Sequence, residues 1–494
     1  MRVPVLPLTA LALACALTAP AVAAPPPIPS LPTDAAVPRY VGAPAQADPV
    51  RSFAVPRHPF MAANGSSNMH NDAYATDAYD VPGPLGDRSR VTSATYGVRE
   101  CATLTFDRQG RIEALCGGVE GMHLMLLDPV TLDALDSLPM PMRNISTEKT
   151  PFNDLCVGAY FYLDQHDRAV VATSDDQVWV VSQRDGPDGT ELVHERTYDL
   201  STALTGDDCL IALQPDWDGR VWFVTEDGTV GTLDLGSGRT RTLALPGESI
   251  VNSFAVDETG GVFVVSDHAL YRLDATATGA PAVSWREAYD RGSRQKPGQL
   301  SQGSGTTPTL VGDDLVAITD NADPRMHVRV YERGRSADGD RLVCSEQVFA
   351  PGASATENSM VAVGRSVVVE NNYGYEGPRS TMGGQTTEPG ITRVDVEDGR
   401  CTTAWTSPEV APTSVPKASL ASGLLYVYTK PERADGIDAW YLTAIDLHTG
   451  DTAYKRLTGT GPQWNNHYAA VYLGPGTATA YVATVAGLVR VTDS

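Results

Sequence analysis

The chain has 494 residues, of which 60 are acidic and 37 basic, for a formal net charge of −23. Such an acidic composition argues against a nucleic-acid partner, because phosphate binding needs clustered Lys and Arg. Hydrophobic residues make up 42% of the chain, which excludes a disordered protein. The 45 Gly and 35 Pro favour many tight turns over long helices.

The N-terminus has the pattern of a secretory signal. Arg2 precedes an apolar run from Val5 to Ala19, and small residues follow as far as Ala24. We expect cleavage after Ala23, so that residues 1–23 form a signal peptide. The mature protein is therefore predicted to be secreted, either extracellular or periplasmic.

The mature chain divides into two parts by composition. Residues 24–60 are rich in Pro and Ala and are predicted to form an extended arm, and residues 61–494 are predicted to form the folded domain. Past the signal, no apolar run is long enough for a transmembrane anchor. We expect a monomer.

Six cysteines follow the signal, an even number that in an exported protein predicts three disulfides. The spacing leaves all fifteen pairings open. These cysteines are Cys101, Cys116, Cys156, Cys209, Cys344 and Cys401.

From about residue 100 the chain repeats a pattern of short apolar strands and turns, with copies starting about 45–60 residues apart. This period fits four-stranded propeller blades with long loops and predicts an all-β propeller of eight blades, with seven as the alternative. The first strands of the eight copies are 103–107, 158–163, 210–213, 253–256, 308–311, 360–363, 418–421 and 468–473.

Most copies have a third strand that ends in Leu-Asp or Ile-Asp before a turn, as at Leu127-Asp128 and Ile445-Asp446. The Asp side chain can accept a hydrogen bond from the backbone two residues on, which tightens the turn. The eighth copy lacks a fourth strand. We predict that residues 90–97 supply it and close the ring.

The stretch Ile445-Asp446-Leu447-His448-Thr449-Gly450-Asp451-Thr452 resembles the blade signature of quinoprotein-like (PQQ-repeat) eight-bladed propellers, as does Ser304-Gly305-Thr306-Thr307-Pro308-Thr309. The resemblance covers roughly residues 90–494 and implies that fold. Active quinoprotein dehydrogenases of this kind carry a vicinal disulfide and a docking Trp at the end of each blade. Neither pattern occurs in this sequence, so the resemblance argues against a bound quinone.

In a propeller, the loops that precede first strands and the loops that join second to third strands share one face, around the mouth of the central channel. We call them the mouth loops. They are rich in polar residues, which suit hydrogen bonding to a small polar ligand. The predicted ligand-binding residues are Asp320, Asn321, Arg325, Glu370, Asn371, Asn372, Lys417, Asn465 and Asn466.

A second reading of the same loops is a metal site, because carboxylate and amide oxygens suit Ca²⁺. The ring is similar in residue type to that of calcium-dependent propeller lactonases. His467 is the candidate general base. The candidate metal ligands are Glu100, Asn153, Asp208, Asn252 and Asn358.

The segment Asn68-Met69-His70-Asn71-Asp72-Ala73-Tyr74 is polar and precedes the closing strand. It is either a lid over the domain or a solvated arm, and we predict an arm. Asp216-Trp217-Asp218-Gly219 resembles part of a calcium loop, but without the EF-hand spacing we predict a turn.

Three functions stay open. The leading one is a secreted propeller that binds a small polar ligand, a glycan or a protein at the mouth loops. The second is a calcium- or metal-assisted hydrolase or lyase that uses the same loops. The third, disfavoured by the missing motifs, is a quinoprotein oxidoreductase. Sequence alone does not decide whether the protein is an enzyme.

Overall fold

A computed structural model describes residues 36–97, 99–118, 121–141, 160–187, 189–204, 208–337 and 339–493. They form eight antiparallel blades arranged in a ring, each built on four strands in radial order. The predicted all-β, eight-bladed propeller is confirmed, and the seven-bladed alternative is wrong. The predicted signal peptide lies outside the described residues.

The strands before and within the first four blades are β1 (Tyr40–Gly42), β2 (Ala78–Tyr79), β3 (Arg90–Thr95), β4 (Arg99–Phe106), β5 (Ile112–Gly118), β6 (Gly121–Leu127), β7 (Ala134–Pro139), β8 (Phe161–Leu163), β9 (Ala169–Ala172), β10 (Gln177–Gly186), β11 (Gly189–Asp199), β12 (Leu210–Pro215), β13 (Val221–Thr225), β14 (Thr229–Leu233), β15 (Thr240–Ala244), β16 (Ala255–Val256), β17 (Val262–Val265), β18 (Ala269–Ala275) and β19 (Pro281–Ala288).

The strands of the last four blades are β20 (Thr309–Val311), β21 (Leu315–Thr319), β22 (His327–Glu332), β23 (Leu342–Gln347), β24 (Val361–Val363), β25 (Ser366–Glu370), β26 (Ile391–Glu397), β27 (Arg400–Ser407), β28 (Lys417–Ser419), β29 (Leu424–Thr429), β30 (Ala439–Asp446), β31 (Thr452–Thr460), β32 (Val471–Leu473), β33 (Thr479–Thr484) and β34 (Gly487–Thr492). Short 3-10 turns lie at Pro378–Thr381 and Pro462–Trp464.

The ring closes as the sequence predicts. Strand β3 is the outer strand of blade 8 and pairs antiparallel with β34, from Arg90 opposite Thr492 to Thr95 opposite Gly487. Blade 8 therefore combines the two ends of the domain, which leaves no edge strand missing from the ring.

The burial of each strand follows from its position within the blade. The second strand of blade 3, β13, is buried along its whole length because blades pack against both of its faces. The outer strand β15 is largely exposed. Between blades, the buried side chains form apolar clusters such as the one that joins blades 8 and 1 around Leu104 and Tyr481.

The Asp-containing turns form as predicted. Asp446 Oδ1 accepts hydrogen bonds from the backbone N–H of His448 at 2.7 Å and of Thr449 at 3.0 Å. In the Asp216 turn, Oδ1 accepts the backbone N–H of Asp218 at 2.9 Å. This carboxylate closes a turn between two strands, so the prediction of a turn rather than a calcium loop is confirmed.

Two disulfides occur among the described residues. Cys101–Cys116 joins the first two strands of blade 1, and Cys344–Cys401 joins the outer strands of blades 5 and 6. Cys209 is also disulfide-bonded, and Cys156 lies outside the described residues. Such cross-links are typical of proteins in oxidising compartments. Over the described ranges, no helix is long and apolar enough to cross a membrane.

The segment before the first blade follows the propeller closely. Strand β1 lies within the predicted arm and adds to the outer edge of blade 7, where Tyr40 is opposite Arg456. Further along, the ring of His58 packs on Trp217 of blade 3, with ring centroids 4.0 Å apart. The segment then reaches blade 2, where the Ala62 N–H donates to Leu163 O at 2.8 Å.

Residues 67–79, which we call the plug, then return through the middle of the ring. Each of them is at most 9% exposed. Their carbonyls accept hydrogen bonds from the first strands of blades 2, 4, 5, 6 and 7, given by the N–H groups of Leu163, Val256, Leu310, Ala362 and Ala418. The prediction of a solvated arm is therefore wrong for this segment. The short first strands have backbone N–H groups on their inner edge that need acceptors, and the plug carbonyls supply them.

Candidate functional site

A buried charge network holds the plug in the channel. Lys417, on the first strand of blade 7, forms an ion pair with Asp77 and donates to Met69 O at 2.8 Å. His70 Nδ1 lies 3.3 Å from Asp77, and the Ser359 hydroxyl donates to the same carboxylate at 2.7 Å. Plug and blades are therefore joined by a fully enclosed salt bridge.

Asp77 stays ionised in this enclosed position. Burial alone would raise its pKa, but the charges of Lys417 and His70 outweigh burial and hold the pKa below its usual value. The His70 ring also stacks on Tyr160 with centroids 5.9 Å apart. These side chains form an enclosed polar network between the plug and the blades.

A cleft of about 1160 Å³ lies among the mouth loops. The 294–301 loop forms one wall, and the two 3-10 turns with His467 and Tyr468 form the other. Arg294 and Arg379 line the cleft with exposed guanidinium groups. Neither of them forms an ion pair or a side-chain hydrogen bond with the residues described here. The cleft thus offers free positive charge in a strongly acidic protein.

Several buried polar atoms of the mouth loops have no hydrogen-bond partner within the described protein. A buried polar group without a partner costs about 1–3 kcal/mol, so such atoms indicate positions that solvent or a ligand satisfies. The atoms are Glu100 Oε1, Asn321 Oδ1, Asn358 Oδ1 and Glu370 Oε2. The Asn252 amide and the Glu357 carboxyl interact with each other.

Burial raises the pKa of three mouth-loop carboxyls, and that of Glu100 lies well above its usual value. Burial raises the pKa of Glu357 to about 8, although the Leu300 N–H donates to it at 3.0 Å. Burial likewise raises the pKa of Glu370 to about 8, against the lowering effect of hydrogen bonds from Asn372 and Asn358. A protonated carboxyl can donate one hydrogen bond, so this end of the channel presents both donors and acceptors.

Most of the predicted ligand-binding residues hold the mouth loops in place. Asn371 Nδ2 donates to Ala353 O at 3.0 Å, and Asn321 Nδ2 donates to Arg294 O at 2.9 Å. The Asp320 carboxylate lies 2.9 Å from the ring nitrogen Nδ1 of His327, within hydrogen-bond distance. Apart from Asn321 Oδ1, which has no partner within the described residues, these side-chain atoms are occupied within the protein, because a long loop needs such bonds to its backbone.

The remaining predicted ligand-binding residues make similar contacts. Asn372 Oδ1 accepts the Glu357 N–H at 2.8 Å, and Asn466 Nδ2 donates to Ala469 O at 3.0 Å. The guanidinium of Arg325 donates to Phe349 O at 2.6 Å. Lys417 belongs to the plug network instead.

The set of predicted metal ligands stays a prediction. Asp208 uses both oxygens within blade 3, accepting the Cys209 N–H at 2.8 Å and the hydroxyl of Thr225, the last residue of β13, at 2.7 Å. Asn153 lies outside the described residues. In the parts of the chain that the structure describes, no three His, Cys, Asp or Glu side chains form a group suited to a metal ion.

His467, the predicted general base, lines the cleft. Its Nδ1 lies 3.0 Å from the Tyr375 hydroxyl, and its backbone N–H donates to Asn465 Oδ1 at 2.8 Å. The Tyr375 hydroxyl also donates to Asn465 Oδ1 at 3.0 Å. These contacts fix the imidazole at the cleft surface, within reach of a bound molecule.

Sequence reasoning did not identify the plug network or the two arginines. The clue to the plug was the run of Asn, Asp and small residues at 68–77, which suits a chain that turns inside a narrow channel. Arg294 follows Arg291 in a loop of 20 residues between β19 and β20. Nothing in the local sequence shows that this loop approaches residue 379.

Comparisons with known proteins show which solved structures share this fold. No family model matches the chain. An uncharacterized protein of Archaeoglobus fulgidus is 26% identical over 313 residues, which is 56% of this chain and 60% of that relative. The match thus spans less than two thirds of the relative's length.

Solved structures include quinohemoprotein alcohol dehydrogenase from Comamonas testosteroni, with a TM-score of 0.59 and 12% identity over 88% of this chain and 81% of that one. BamB from Moraxella catarrhalis has a TM-score of 0.44 and 12% identity over 82% of this chain and 98% of that one. The fold is that of the quinoprotein-like eight-bladed propellers, as the sequence resemblance implies. Likeness at this identity concerns the fold and carries no function.

The described residues do not fit the quinone site of the active dehydrogenases. The two disulfides join cysteines 15 and 57 positions apart, so neither is a vicinal pair. The plug, with His70 against Tyr160, fills the channel below the mouth loops.

Proposed function

We propose that this chain is a ligand-binding propeller whose mouth cleft takes a small polar molecule rich in hydroxyl or amide groups, such as a sugar or the end of a glycan or peptide. The observation that carries the proposal is the set of buried, unpartnered polar atoms among the mouth loops beside a large cleft. A ligand that reached them would replace missing hydrogen bonds, and this is a strong source of specificity.

The surroundings of the cleft support this function. The plug is buried within the ring, so we expect a ligand to approach from the mouth loops. Tyr375, His467 and Tyr468 give the cleft aromatic surface, which suits the apolar face of a sugar ring. The free charges of Arg294 and Arg379 favour ligands that also carry a carboxylate.

We also propose that the protein is exported and meets this ligand outside the cytoplasm, because its disulfides require an oxidising compartment. Cell fractionation with a reducing and a non-reducing gel tests this location. Detection of the protein only in the cytoplasm, with reduced cysteines, would refute it.

Binding is tested by thermal-shift screening of the mature chain with neutral sugars, sugar acids and short peptides, followed by calorimetry of the hits. We expect at least one class to bind, with acidic members tighter than neutral ones, and E357Q to weaken binding by about tenfold. The matched control is E113Q, which changes another buried carboxyl, near the start of β5 in blade 1 and away from the mouth loops. Equal affinity of E357Q and E113Q, or no binding at all, would overturn the proposal. Turnover of a lactone would favour the hydrolase instead.

A further inference from the structure

A second groove, of about 680 Å³, lies between blades 6 and 7 and is distinct from the mouth cleft. Three segments form it: the 373–389 loop, residues 408–410 and the 431–432 turn, with Lys455 at one edge. We propose that this groove binds an organic cation, namely an ammonium or guanidinium group on an aliphatic stem. The inference is independent of the function proposed for the mouth cleft.

The groove is held in shape by bonds between its walls. The Glu388 N–H donates to Tyr373 O at 3.0 Å, and the Gly390 N–H donates to Glu409 O at 3.0 Å. On the other side, the Thr386 hydroxyl donates to Lys430 O at 2.6 Å. A surface cross-linked in this way is preformed, so a ligand does not have to order it on binding.

The charges of the groove favour a cation. Glu409 is neutralised by Lys455 at 2.6 Å and also accepts the Thr452 hydroxyl at 2.6 Å. Glu388 and Glu432 line the same groove, are exposed, and form no ion pair with any residue in the described ranges. Lys455 is the only lysine among the lining residues, and it is paired with Glu409. Glu388 and Glu432 therefore give the groove two unpaired negative charges.

An unpartnered buried atom provides independent evidence for a ligand. Thr387 lines the groove and is 8% exposed, and its Oγ1 has no hydrogen-bond partner in the described structure. This hydroxyl can accept a hydrogen bond from an ammonium or guanidinium N–H. Pro389, Pro408 and Pro431 give the walls apolar surface against which an aliphatic stem can pack.

The test uses the full mature chain and the acetylated amides of lysine, arginine and norleucine as probes in calorimetry. We expect the lysine and arginine amides to bind and the isosteric, neutral norleucine amide not to bind. E388Q/E432Q should weaken binding about tenfold or more, and T387V about fivefold. The matched control D340N/E397Q removes the same charge from two exposed positions outside both cavities and should bind as the wild type does.

Spermidine and a lysine-containing pentapeptide distinguish a free polyamine from a basic side chain of a protein partner as the source of the cation. Tighter binding of spermidine assigns the groove to small cations, and tighter binding of the peptide assigns it to a partner's side chain. Equal binding of norleucine and lysine amides, no binding of either cationic amide, or the same loss in E388Q/E432Q and the control variant would overturn the proposal.

Discussion

Polar groups of the plug and polar groups of the mouth loops differ in whether they have hydrogen-bond partners. On the plug side, Lys417, Asp77 and Ser359 satisfy one another, and only Asn71 Oδ1 among the plug side chains is buried without a partner. On the mouth side, Glu100, Asn321, Asn358 and Glu370 keep buried polar atoms that no described protein group meets. Both the plug and the mouth loops contain many polar residues, so polarity itself does not indicate a binding site.

This difference indicates where a ligand can form hydrogen bonds that the protein does not already make. A ligand gains little by competing with a network that the chain has already completed. Where buried polar atoms have no hydrogen-bond partner, the folded protein is destabilised, and a ligand that bonds to them removes this penalty. The predictions below test whether the plug side supports the fold and the mouth side supports binding.

The largest effect is expected on the plug side. K417M removes the cation and leaves Asp77 ionised and enclosed, so we expect the free energy of unfolding to fall by about 3–5 kcal/mol. The double variant K417M/D77N removes both charges and should recover a large part of the loss. Urea unfolding of the three proteins measures this, and a single variant within about 1 kcal/mol of the wild type would contradict the network.

A smaller effect is expected from pH on the mouth side. Glu357 and Glu370 keep their protons in the folded protein up to a pKa of about 8, whereas the ordinary pKa of Glu is 4.5. The unfolded chain releases these protons first, so the contribution of these two groups to stability is greatest below about pH 4.5 and falls as the pH rises towards 8.

E370Q should lose less stability over that range than the wild type does. The difference at pH 8 is expected to be on the order of 2 kcal/mol, since one pKa unit corresponds to about 1.4 kcal/mol and relaxation of the site removes part of it. Urea unfolding at a series of pH values measures the slope. Parallel pH profiles for E370Q and the wild type would show that Glu370 is ionised in the folded protein.

Crowding of the cleft wall should have the next largest effect. Gly298 has a φ of +102°, and a Cβ there would collide with Asn372 O. G298A is therefore expected to cost about 1–3 kcal/mol and to weaken ligand binding. Gly247 also has a positive φ, +77°, but open space around it, so G247A separates backbone strain from crowding. Equal losses in both variants would mean that the close approach to Asn372 is unimportant.

The smallest effect is expected from a single hydroxyl at the cleft surface. Y375F removes the hydrogen bond to Asn465 and the contact with His467, and should cost about 1 kcal/mol of stability. Ligand affinity should fall further than stability does, because His467 loses its fixed position. Calorimetry beside thermal unfolding compares the two, and Y441F, which loses a 3.1 Å bond to Pro38 O at blade 7, is the control.

Much of the fold could be predicted because it depends on local patterns. Short apolar strands, Asp-containing turns and a missing fourth strand in the last copy were enough for eight blades and for closure by β3. The position of the mouth loops followed from the order of the strands. The role of each polar side chain in those loops did not follow, because Asn371 and Asn358 look alike in sequence but differ in whether their oxygen finds a partner.

By itself the sequence determined the repeat, the ring and the face that gathers polar loops, since these depend on residue spacing and turn chemistry within one blade. Tertiary structure alone decided that residues 67–79 fill the channel, that Lys417 serves the fold, and that Arg294 and Arg379 border the same cleft. The physical reason is distance along the chain. Contacts between residues hundreds of positions apart, such as Asp77 with Lys417, leave no periodic trace in either segment.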